Sequence, residues 1–450
     1  MSTRGEHLVR ADRRFATGGG AFARLAAPAF SKVLDEIDRK LPIGGLETIL
    51  PNGDTRRLGF RGRGVHAVVR LNSWMSLVRL ATSGSVGWYK AWTLGEWSSP
   101  DPVAIFELFS ANAVPLGNVG RAKGPFRLVN SLAHRLRDNA PKTAVKNIAA
   151  HYDLGNDFYS AWLDCTMTYS SARFSGGTGS FVLSGAPQAR SRRALGTTVE
   201  QTPFDYAQDE RDRVSLEQAQ LHKIHTLLDR LAIKPGQRLL EIGCGWGTLA
   251  IEAARRGASV VGLTLSTEQK AWAEAKIEAA NLSDKVEIRL QDYRDTTEQF
   301  DAVASVEMVE AVGQRWWPAY LDCIARNLRA GGRAALQYIS MRPEIFDNYA
   351  RNPDFIQTYI FPGGMLLDEP GFAALALEHS LSWEDREGFR FDYAETLKRW
   401  RERYDRAVSS GALSGFEEPF HQLWRYYLMY CEGGFRGGAI DVAQVTMVKS

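Results

Sequence analysis

The sequence predicts an α/β protein whose larger part is a doubly wound parallel sheet. From Lys234 onward, short apolar strands alternate with amphipathic helices, the pattern of a parallel sheet covered by helices on both faces. A glycine-rich turn follows the first of these strands, as it does where such sheets bind nucleotides. The chain has 450 residues, enough for two or three domains. We therefore expect the doubly wound domain to be joined to a smaller one.

Each element of the doubly wound domain is predicted from its own segment. The strands are predicted at QRLLEI, ASVVGLTL, KVEIRLQ, FDAVASV, AALQYIS and, near the end, DVAQVTMV, because each is an apolar run of strand length. The helices are predicted at TLAIEAARR, TEQKAWAEAKIEAA, QRWWPAYLDCIARNL and, past Arg342, at AETLKRWRERYDRAV and FEEPFHQLWRYYLMYC. The last two are rich in aromatic residues, and we expect them to roof the active edge of the sheet.

We divide the chain into three parts. Residues 1–120 mix helical segments such as AAPAFSKVLDEIDRKL with strand-like ones such as GVHAVVRL, which predicts a small α+β domain. Residues 121–150 are a basic connector with apolar residues at helical spacing, typical of a helix on a membrane surface or of a solvated helix packed on the next domain. Residues 151–450 form the doubly wound domain. Within it, residues 176–213 lack a sustained period, which favours a surface insertion over a lid.

Charge and cysteine content argue against several classes of protein. The formal net charge is only +3, too small to indicate nucleic-acid binding and compatible with an anionic membrane surface. The chain has no apolar stretch long enough for a membrane span, and its N-terminal segment lacks the apolar core of a signal peptide, so a cytoplasmic location is expected. The four cysteines form no CxxC pair, so neither a metal site nor a disulfide framework is predicted.

A nucleoside pocket is predicted at one edge of the sheet. The turn LLEIGCGWGTLA brings helix N–H groups near a ligand. A dinucleotide site normally shows GxGxxG and an acidic residue after the second strand, whereas this second strand ends GLTLSTEQ. Ser266 and Gln269 there also fit a capping box for the next helix. The third strand leads to QDYRD, whose Gln291, Asp292 and Tyr293 are suited to hydrogen-bond and stack on an adenine.

Nine segments, taken in order, resemble the cyclopropane-fatty-acyl-phospholipid synthases of the wider mycolic acid and cyclopropane synthase superfamily. They are HYDLGNDFY (151–159), MTYSSARF (167–174), LEIGCGWG, TLSTEQ, LQDYRD, SVEMVEAVG, YIFPGG (359–364), FDYAETLKRW (391–400) and YYLMYCEGGFRGGAIDVAQV (426–445). The resemblance implies a Rossmann-like methyltransferase domain, S-adenosylmethionine as cofactor, and an unsaturated acyl chain of a membrane phospholipid as substrate. The N-terminal domain is then expected to be lipid-associated, and the protein to bind peripherally to the inner face of the membrane.

The resemblance also assigns a set of cofactor-binding positions. Those it implies are Tyr152, Tyr169, Ser170, Leu240, Glu241, Gly243, Cys244, Gly245, Trp246, Gly247, Thr264, Ser266, Gln269, Gln291, Asp292 and Tyr293. Most of them follow a predicted strand, which is where the pocket is expected from the pattern alone.

A second group of residues is implied to carry the chemistry. Methyl transfer to an isolated alkene leaves a carbocation, which must be kept from water and then deprotonated. The resemblance implies that a bound bicarbonate ion is the base. The residues implied to hold it are Ser171, Glu310, Gln337, Ile339 and Tyr393, and Cys431 matches a cysteine often assigned to the active site. Helical spacing in SVEMVEAVG places Glu307 on one face with Glu310, as a solvated or cofactor-side neighbour.

Three positions depart from the pattern of the family. Ser171 stands where a cysteine is usual, Ala311 follows Glu310 where a histidine is usual, and Gln337 replaces a histidine. Serine and glutamine still offer hydrogen bonds to an anion, so we expect bicarbonate to bind. Loss of a proton from the added methyl closes a cyclopropane ring, whereas loss from a neighbouring carbon leaves a methylene- or methyl-branched chain. We favour the ring and keep the branched product open.

Two functions of other classes also stay open. The same cofactor edge would serve a methyltransferase for a soluble small molecule or RNA, in which the connector and aromatic helices only pack. A catalytically silent lipid-binding protein is the other, given the substitutions at the base site. The expected partners are the phospholipid and an anionic membrane surface, without nucleic acid, and a homodimer is left open.

Overall fold

The protein's structure, a computed structural model, describes residues 4–9, 27–117, 154–174, 211 and 213–450. The strands are β1 Gly45–Ile49, β2 Thr55–Gly59, β3 His66–Leu71, β4 Trp97–Ser98, β5 Arg238–Ile242, β6 Ser259–Thr264, β7 Val286–Leu290, β8 Phe300–Val306, β9 Leu328–Met341, β10 Leu367–Asp368, β11 Leu381–Gly388 and β12 Ile440–Lys449. The helices are α1 Glu6–Val9, α2 Ala27–Arg39, α3 Met75–Thr93, α4 Pro102–Ala111, α5 Ala113–Leu116, α6 Asn156–Ser160, α7 Leu216–Leu231, α8 Thr248–Arg255, α9 Thr267–Ala279, α10 Trp317–Asn327, α11 Pro343–Arg351, α12 Glu369–Glu378, α13 Arg390–Ser409 and α14 Glu418–Gly437. The connector at 121–150 and nearly all of the insertion lie outside the described residues, so the domain division at 120 and 150 stays a prediction.

The larger sheet has the predicted doubly wound order. Its strands run β11-β12-β9-β8-β5-β6-β7, with β10 beside β9. Strands β5 to β9 pair in parallel, whereas β12 joins β9 and β11 antiparallel. The strand order reverses between β5 and β8, and ligands of such sheets bind beyond the carboxyl ends of the strands at that point. The prediction of the fold class is confirmed.

Helix α7 shows how local sequence positions buried polar groups. It begins with a capping box in which Ser215 Oγ accepts from Gln218 N at 3.1 Å and Gln218 Oε1 accepts from Ser215 N at 3.0 Å, so two otherwise unpaired backbone donors near the helix start are satisfied. The helix packs against β8 and β9. Its buried face is mostly apolar but includes Gln220 and Lys223, which the helix holds below the carboxyl edge of the sheet.

The N-terminal domain lies over that edge. Its four strands form a separate sheet in the order β2-β1-β3-β4, and α4 packs on both β3 and the aromatic helix α14. Glycine permits this close helix pairing, because a Cβ at Gly433 would lie 2.4 Å from Phe106 Cβ. Residues of both domains belong to one continuous apolar core. Among the helices in the described ranges, none is both long and apolar enough to cross a membrane.

Candidate active site

Two cavities meet at the carboxyl edge of the large sheet. The first has a volume of about 190 Å³ and lies beyond β5 and β8, where the strand order reverses. The second is larger, about 490 Å³, and runs between the C-terminal aromatic helices and the N-terminal domain. Tyr169, Glu307 and Ala311 line both cavities. A group held in one cavity can therefore meet a group held in the other at these three residues.

The glycine-rich turn between β5 and α8 forms one wall of the first cavity. Gly243, Gly245 and Gly247 have φ of 83°, 52° and 84°, a region that glycine adopts without steric cost. A Cβ at Gly243 would lie 2.7 Å from Met308 Cγ, whereas a Cβ at Gly245 would meet no atom within 4 Å. The open side of Gly245 leaves room for a ligand to approach the backbone closely.

Two buried charged groups lie beside the first cavity. Glu241 is 3% exposed, and its Oε2 has no hydrogen-bond partner among the described residues; burial raises the pKa of this carboxyl. The Lys223 ammonium donates to Ser170 Oγ at 2.6 Å, and burial lowers the pKa of Lys223 to about 8. Lys223 was not predicted from the sequence. The sequence does carry one indication of its role. Gln220 and Lys223 are polar residues on the otherwise apolar face of α7, and buried polar groups require hydrogen-bond partners.

Most of the predicted cofactor residues line the first cavity. They are Tyr169, Ser170, Glu241, Gly243, Cys244, Gly245, Trp246, Thr264, Gln269, Gln291, Asp292 and Tyr293. Three others do not: Leu240 lies in the core of the sheet, Gly247 is the N-cap of α8, and Ser266 is the N-cap of α9. Tyr152 lies outside the described residues.

The capping box predicted for α9 forms only in part. Ser266 Oγ accepts from Gln269 N at 3.2 Å, as expected. The Gln269 side chain accepts instead from Thr264 Oγ1 at 2.9 Å, and Ser266 N donates to the same Thr264 Oγ1 at 3.1 Å. The carboxyl end of β6 therefore presents an ordered pair of polar side chains to the first cavity.

The residues after β7 make another wall of this cavity. Asp292 accepts from Arg294 Nε at 2.8 Å and Nη2 at 2.6 Å, and Gln291 Nε2 donates to Thr296 Oγ1 at 3.2 Å. Tyr293 meets the ring of Tyr320 edge-on at 5.6 Å. These contacts fix the orientation of three side chains that the sequence predicted to contact an adenine.

The second cavity is apolar over most of its length. Leu46, Val69 and Leu71 line it from the sheet of the N-terminal domain, and Phe361 and Tyr427 line it from the C-terminal part. A chamber of this volume, walled by aliphatic and aromatic side chains, favours the binding of a hydrocarbon chain. The strand that carries Val69 and Leu71 was predicted, but its approach to the site was not.

Glu307 lies at the junction of the two cavities and is held by three donors. Its Oε1 accepts hydrogen bonds from Ser171 N and Gln337 Nε2, both at 2.8 Å, and its Oε2 accepts one from Tyr393 Oη at 2.6 Å. We call these three groups the donor triad. Burial raises the pKa of Glu307, and the donor triad together with the charge of Lys223 opposes that rise.

The helical arrangement expected for SVEMVEAVG is wrong. Glu307 has a φ of +47°, and a single 3₁₀ turn, Val309–Ala311, follows it. Glu307 N donates to Gln337 O at 2.7 Å, so the chain continues pairing with β9 before it turns. The two carboxylates consequently differ in position, because Glu307 lines both cavities and Glu310 only the second. Glu307 is on the cofactor side as predicted, but it is not a solvated residue.

The residues expected to hold bicarbonate come together, although around a different centre. The donor triad, which supplies three of the expected contacts, is bonded to Glu307. Glu310 instead pairs with Ile339, whose backbone N donates to Glu310 Oε1. The side chain of Gln337 is further fixed by Gln444 Nε2, which donates to Gln337 Oε1 at 3.0 Å. The arrangement around Glu310 that the resemblance implies is therefore not the one present.

Glu310 presents a largely neutral carboxyl group to the second cavity. Its Oε2 is buried and has no hydrogen-bond partner within the described part of the chain. Burial and the nearby charge of Glu307 raise the pKa of Glu310 to about 8. A carboxyl with this pKa is mostly protonated at pH 7.

We expect Glu310→Gln to reduce the pH dependence of stability. The pKa of Glu310 is raised from about 4.5 to about 8 on folding, so its contribution is fully present below about pH 4.5 and is lost as pH rises through 8. The difference in unfolding free energy between wild type and variant should therefore fall with pH, by at most about 1.4 kcal/mol per unit. Urea unfolding near pH 5.5 and near pH 7.5 measures it. A difference that does not change between these conditions would contradict the assignment.

Cys431 lies on α14 and lines the second cavity. Burial is the main cause that raises the pKa of this thiol, and the nucleophilic form of cysteine is the thiolate. Cys431 therefore contributes a small apolar surface to the wall of the cavity. Its assignment to the active site by resemblance stays a prediction.

Comparison with known sequences identifies one family. The model for mycolic acid cyclopropane synthetase matches residues 139–445. The chain is 37% identical over 373 residues to the tuberculostearic acid methyltransferase UfaA1 of Mycobacterium tuberculosis H37Rv, a match that covers 82% of this chain and 80% of the relative. It is 35% identical over 297 residues to the cyclopropane-fatty-acyl-phospholipid synthase of Escherichia coli K12, covering 66% of this chain and 65% of the relative.

The fold resembles the solved structures of two cyclopropane synthases. The cyclopropane synthase MmaA2 from Mycobacterium tuberculosis is 28% identical, with a TM-score of 0.57, and the match covers 68% of this chain and 98% of that chain. The mycolic acid cyclopropane synthase CmaA1, complexed with SAH and CTAB, is 30% identical with the same TM-score and the same coverage. The family model begins at residue 139, so its match leaves out the N-terminal domain, whose residues line the second cavity.

Proposed function

The chain belongs to the mycolic acid cyclopropane synthetase family, and we propose that it transfers a methyl group from S-adenosylmethionine to the double bond of an unsaturated acyl chain. Membership confirms the prediction of a cyclopropane-synthase-like, S-adenosylmethionine-dependent methyltransferase. The observation that carries the proposal is the meeting of a small cavity with charged walls and a long apolar cavity at Tyr169, Glu307 and Ala311.

The residues of the first cavity fit S-adenosylmethionine. The open side of Gly245 admits a ligand against the backbone, and the unpartnered Oε2 of Glu241 can accept a hydrogen bond from it. Gln291 and Asp292 lie at the end of the strand where an adenosine is expected. When bound, the cofactor supplies a methyl group on a positively charged sulfonium. The wall residues would orient the cofactor toward the junction, and such positioning accounts for much of the rate in bimolecular transfers.

The second cavity fits the acyl chain. Its apolar walls exclude water from the double bond, and a carbocation formed there is protected from hydration. Tyr169, Tyr393 and Tyr427 line this cavity, Tyr169 at the junction itself, and the face of a tyrosine ring stabilises a cationic neighbour. Tyr169 Oη and Tyr427 Oη hydrogen-bond to each other at 2.9 Å, so their polar atoms are satisfied within the apolar wall.

The product we favour is a cyclopropane ring, with a methylene- or methyl-branched chain as the second candidate. The relative from Escherichia coli is named for cyclopropane formation, and the relative with 37% identity is named a tuberculostearic acid methyltransferase. Both products follow from one methyl transfer. Direct loss of a proton from the added methyl closes the ring, whereas a 1,2-hydride shift before that loss leaves a methylene branch, and loss from a neighbouring chain carbon leaves a methyl-branched alkene. Proton NMR of the product lipid separates them, because ring methylene protons resonate far upfield of vinylic ones.

We further propose that the acyl chain belongs to a membrane phospholipid and that the protein binds the cytoplasmic membrane surface peripherally. The name of the relative from Escherichia coli and the mild positive charge of the chain support this. Binding to anionic vesicles should then weaken as salt rises. The basic connector at 121–150, the candidate contact, lies outside the described residues, and a homodimer stays an untested expectation.

Bicarbonate does not fit the arrangement of the site. The donor triad that would hold it is bonded to the Glu307 carboxylate, at 2.8, 2.8 and 2.6 Å. An anion bound to the same donors would displace Glu307 or meet its negative charge. The function we propose therefore contains no step through bicarbonate.

Transfer of label tests the proposed function. Purified protein is incubated with methyl-labelled S-adenosylmethionine and vesicles of an unsaturated phospholipid, and the lipid is then extracted. We expect label in the acyl chains of the extract, and none when vesicles of a fully saturated phospholipid replace the unsaturated ones. Label that stays in the aqueous phase, or that enters saturated lipid equally, would refute transfer to a double bond.

A further inference from the structure

We propose that the carboxylate of Glu307, in place of a bound anion, is the base that deprotonates the carbocation on the acyl chain. This inference rests on the proposed function, since it names the residue that completes the same reaction. The donors expected to hold bicarbonate bind the carboxylate of Glu307 instead. Glu307 therefore takes the place, and the proposed role, of that ion.

The position of Glu307 is the first argument. The base must reach a proton of the methyl group that has just been added to the acyl chain. Glu307 is the one carboxylate of the described residues that lines both cavities. Glu310 lines only the second cavity, and Glu241 lines only the first. Glu307 is therefore the carboxylate placed to meet a methyl group that passes from the first cavity to the second.

The hydrogen bonds of Glu307 leave it able to accept a proton. An ionised carboxylate has about four acceptor sites on its two oxygens. Ser171 N and Gln337 Nε2 occupy two of these on Oε1, and Tyr393 Oη occupies one on Oε2. One site on Oε2 is left. The donor triad also holds the carboxylate rigidly, which general base catalysis requires.

The chain fixes Gln337 as a donor to Glu307. Gln444 Nε2 donates to Gln337 Oε1 at 3.0 Å and to Lys223 O at 3.2 Å, so the Gln337 amide is oriented with Nε2 toward Glu307 Oε1. This network accounts for glutamine at a position where the resembling family usually has histidine. A neutral amide suits a neighbouring carboxylate without altering its charge.

The backbone at Glu307 is strained, in keeping with a functional position. Its φ of +47° is uncommon for a residue other than glycine, and residues held in this region cluster at active sites. The hydrogen bond from Glu307 N to Gln337 O, 2.7 Å long, holds the strained conformation. That conformation aims the side chain at the donor triad.

The distribution of charge favours Glu307 over Glu310 as the ionised member of the pair. Glu307 has three hydrogen-bond donors and the nearby charge of Lys223. Glu310 has backbone donors but no side-chain donor among those that oppose its raised pKa, and it faces the charge of Glu307. When two carboxyl groups share one proton, it resides on the group whose ionised form is less stabilised, which here is Glu310. Glu307 is thus free to act as a base at neutral pH.

The reaction balances with Glu307 as the acceptor. The alkene electron pair forms a bond to the methyl carbon as the carbon–sulfur bond breaks, and that electron pair stays on sulfur. The cation remains on the other alkene carbon. Glu307 Oε2 takes a proton from the added methyl group, and the released carbon–hydrogen electron pair closes the ring. Glu307 ends as a carboxylic acid, which returns its proton to solvent before the next turnover.

Omission of bicarbonate tests this inference on the unmodified protein. Turnover on unsaturated phospholipid vesicles is measured in argon-sparged, carbon dioxide-free buffer, with and without added bicarbonate. We expect the same rate in both conditions. We also expect no broadening of the ¹³C NMR signal of labelled bicarbonate when the protein is added. A rate that falls severalfold without bicarbonate and recovers with it, or a bound bicarbonate signal, would overturn the assignment and leave the proposed function intact.

Replacement of Glu307 is a second test of its role as the base. Glu307→Gln keeps size and most hydrogen bonds but cannot accept the proton, so turnover at saturating cofactor should fall by roughly 100-fold or more. The matched control is Glu395→Gln, which neutralises another buried carboxylate, paired with Arg399 Nε at 2.7 Å and outside both cavities. SAH binding and thermal unfolding are followed for both variants. Similar turnover in the two would overturn the role of Glu307, whereas no labelled lipid from wild type in either buffer would overturn the proposed function as well.

Discussion

Gly245→Leu is expected to abolish binding of S-adenosylmethionine while the protein stays folded. A side chain at Gly245 meets no protein atom within 4 Å of its Cβ, so it extends into the first cavity, where the cofactor would approach the backbone. Affinity should fall by roughly 100-fold or more, which corresponds to about 2.8 kcal/mol. Isothermal titration calorimetry with SAH measures the loss, and methyl transfer to lipid should disappear with it.

The control for this variant is Gly236→Leu. Gly236 has a similar positive φ, 83° against 52°, and its Cβ would also lie in open space, but it is exposed in the turn before β5. Both substitutions therefore carry the conformational cost of an L-residue in this region, about 1–2 kcal/mol. Only Gly245→Leu should lose the ligand. Equal affinities for the two variants would show that the cofactor does not lie against the glycine-rich turn.

Cys431→Phe is expected to block the acyl chain and leave the cofactor site unchanged. Cys431 lines the second cavity and not the first, so a larger side chain occupies space that the hydrocarbon needs. Displacing the double bond by about an ångström costs on the order of 100-fold in rate. We therefore expect turnover to fall by roughly that factor, measured by label in extracted lipid, with unchanged affinity for SAH.

Cys431→Ala separates a steric role from a chemical one. Burial raises the pKa of the Cys431 thiol, which keeps it protonated and a poor nucleophile. The alanine variant should therefore retain most of the turnover, while the phenylalanine variant loses it. Loss of turnover in both would show that the sulfur atom itself takes part, as its assignment by resemblance implies.

The doubly wound sheet could be predicted from sequence because its signals are local. Each buried parallel strand is a continuous apolar run, and each helix between them is amphipathic. Strands meeting at one edge then bring their following residues together. This is why Glu241, Thr264 and Gln291, far apart in sequence, were expected around one cavity and do line it.

The roles of Glu307 and Lys223 could not be predicted in the same way. Helical spacing applied to SVEMVEAVG gave the wrong geometry because a positive φ at Glu307 and one 3₁₀ turn replace the expected helix. That conformation depends on a bond to Gln337 in another strand, which is a tertiary contact. Lys223 lies about 80 residues before Glu307 in sequence and reaches the site only because α7 packs beneath β8.

The contribution of the N-terminal domain was also beyond local signals. Helix α2 and strand β3 were predicted, but α4 was not, and its close pairing with α14 depends on glycines at ordinary helix positions of α14. Gly433 lets the backbone of α14 approach Phe106. That contact places β1 and β3 beside the second cavity.

The fate of a trideuterated methyl group tests most directly whether the methyl group is transferred to the acyl chain and then loses one proton. S-Adenosylmethionine carrying that group is used with unsaturated phospholipid vesicles, and the intact product lipid is fragmented in a mass spectrometer. We expect the acyl fragment to gain the new carbon with two deuterium atoms, because Glu307 removes the third during the proposed ring closure. Deuterium found in the headgroup fragment, or in a water-soluble product alone, would contradict methyl transfer to the acyl chain at the junction of the two cavities.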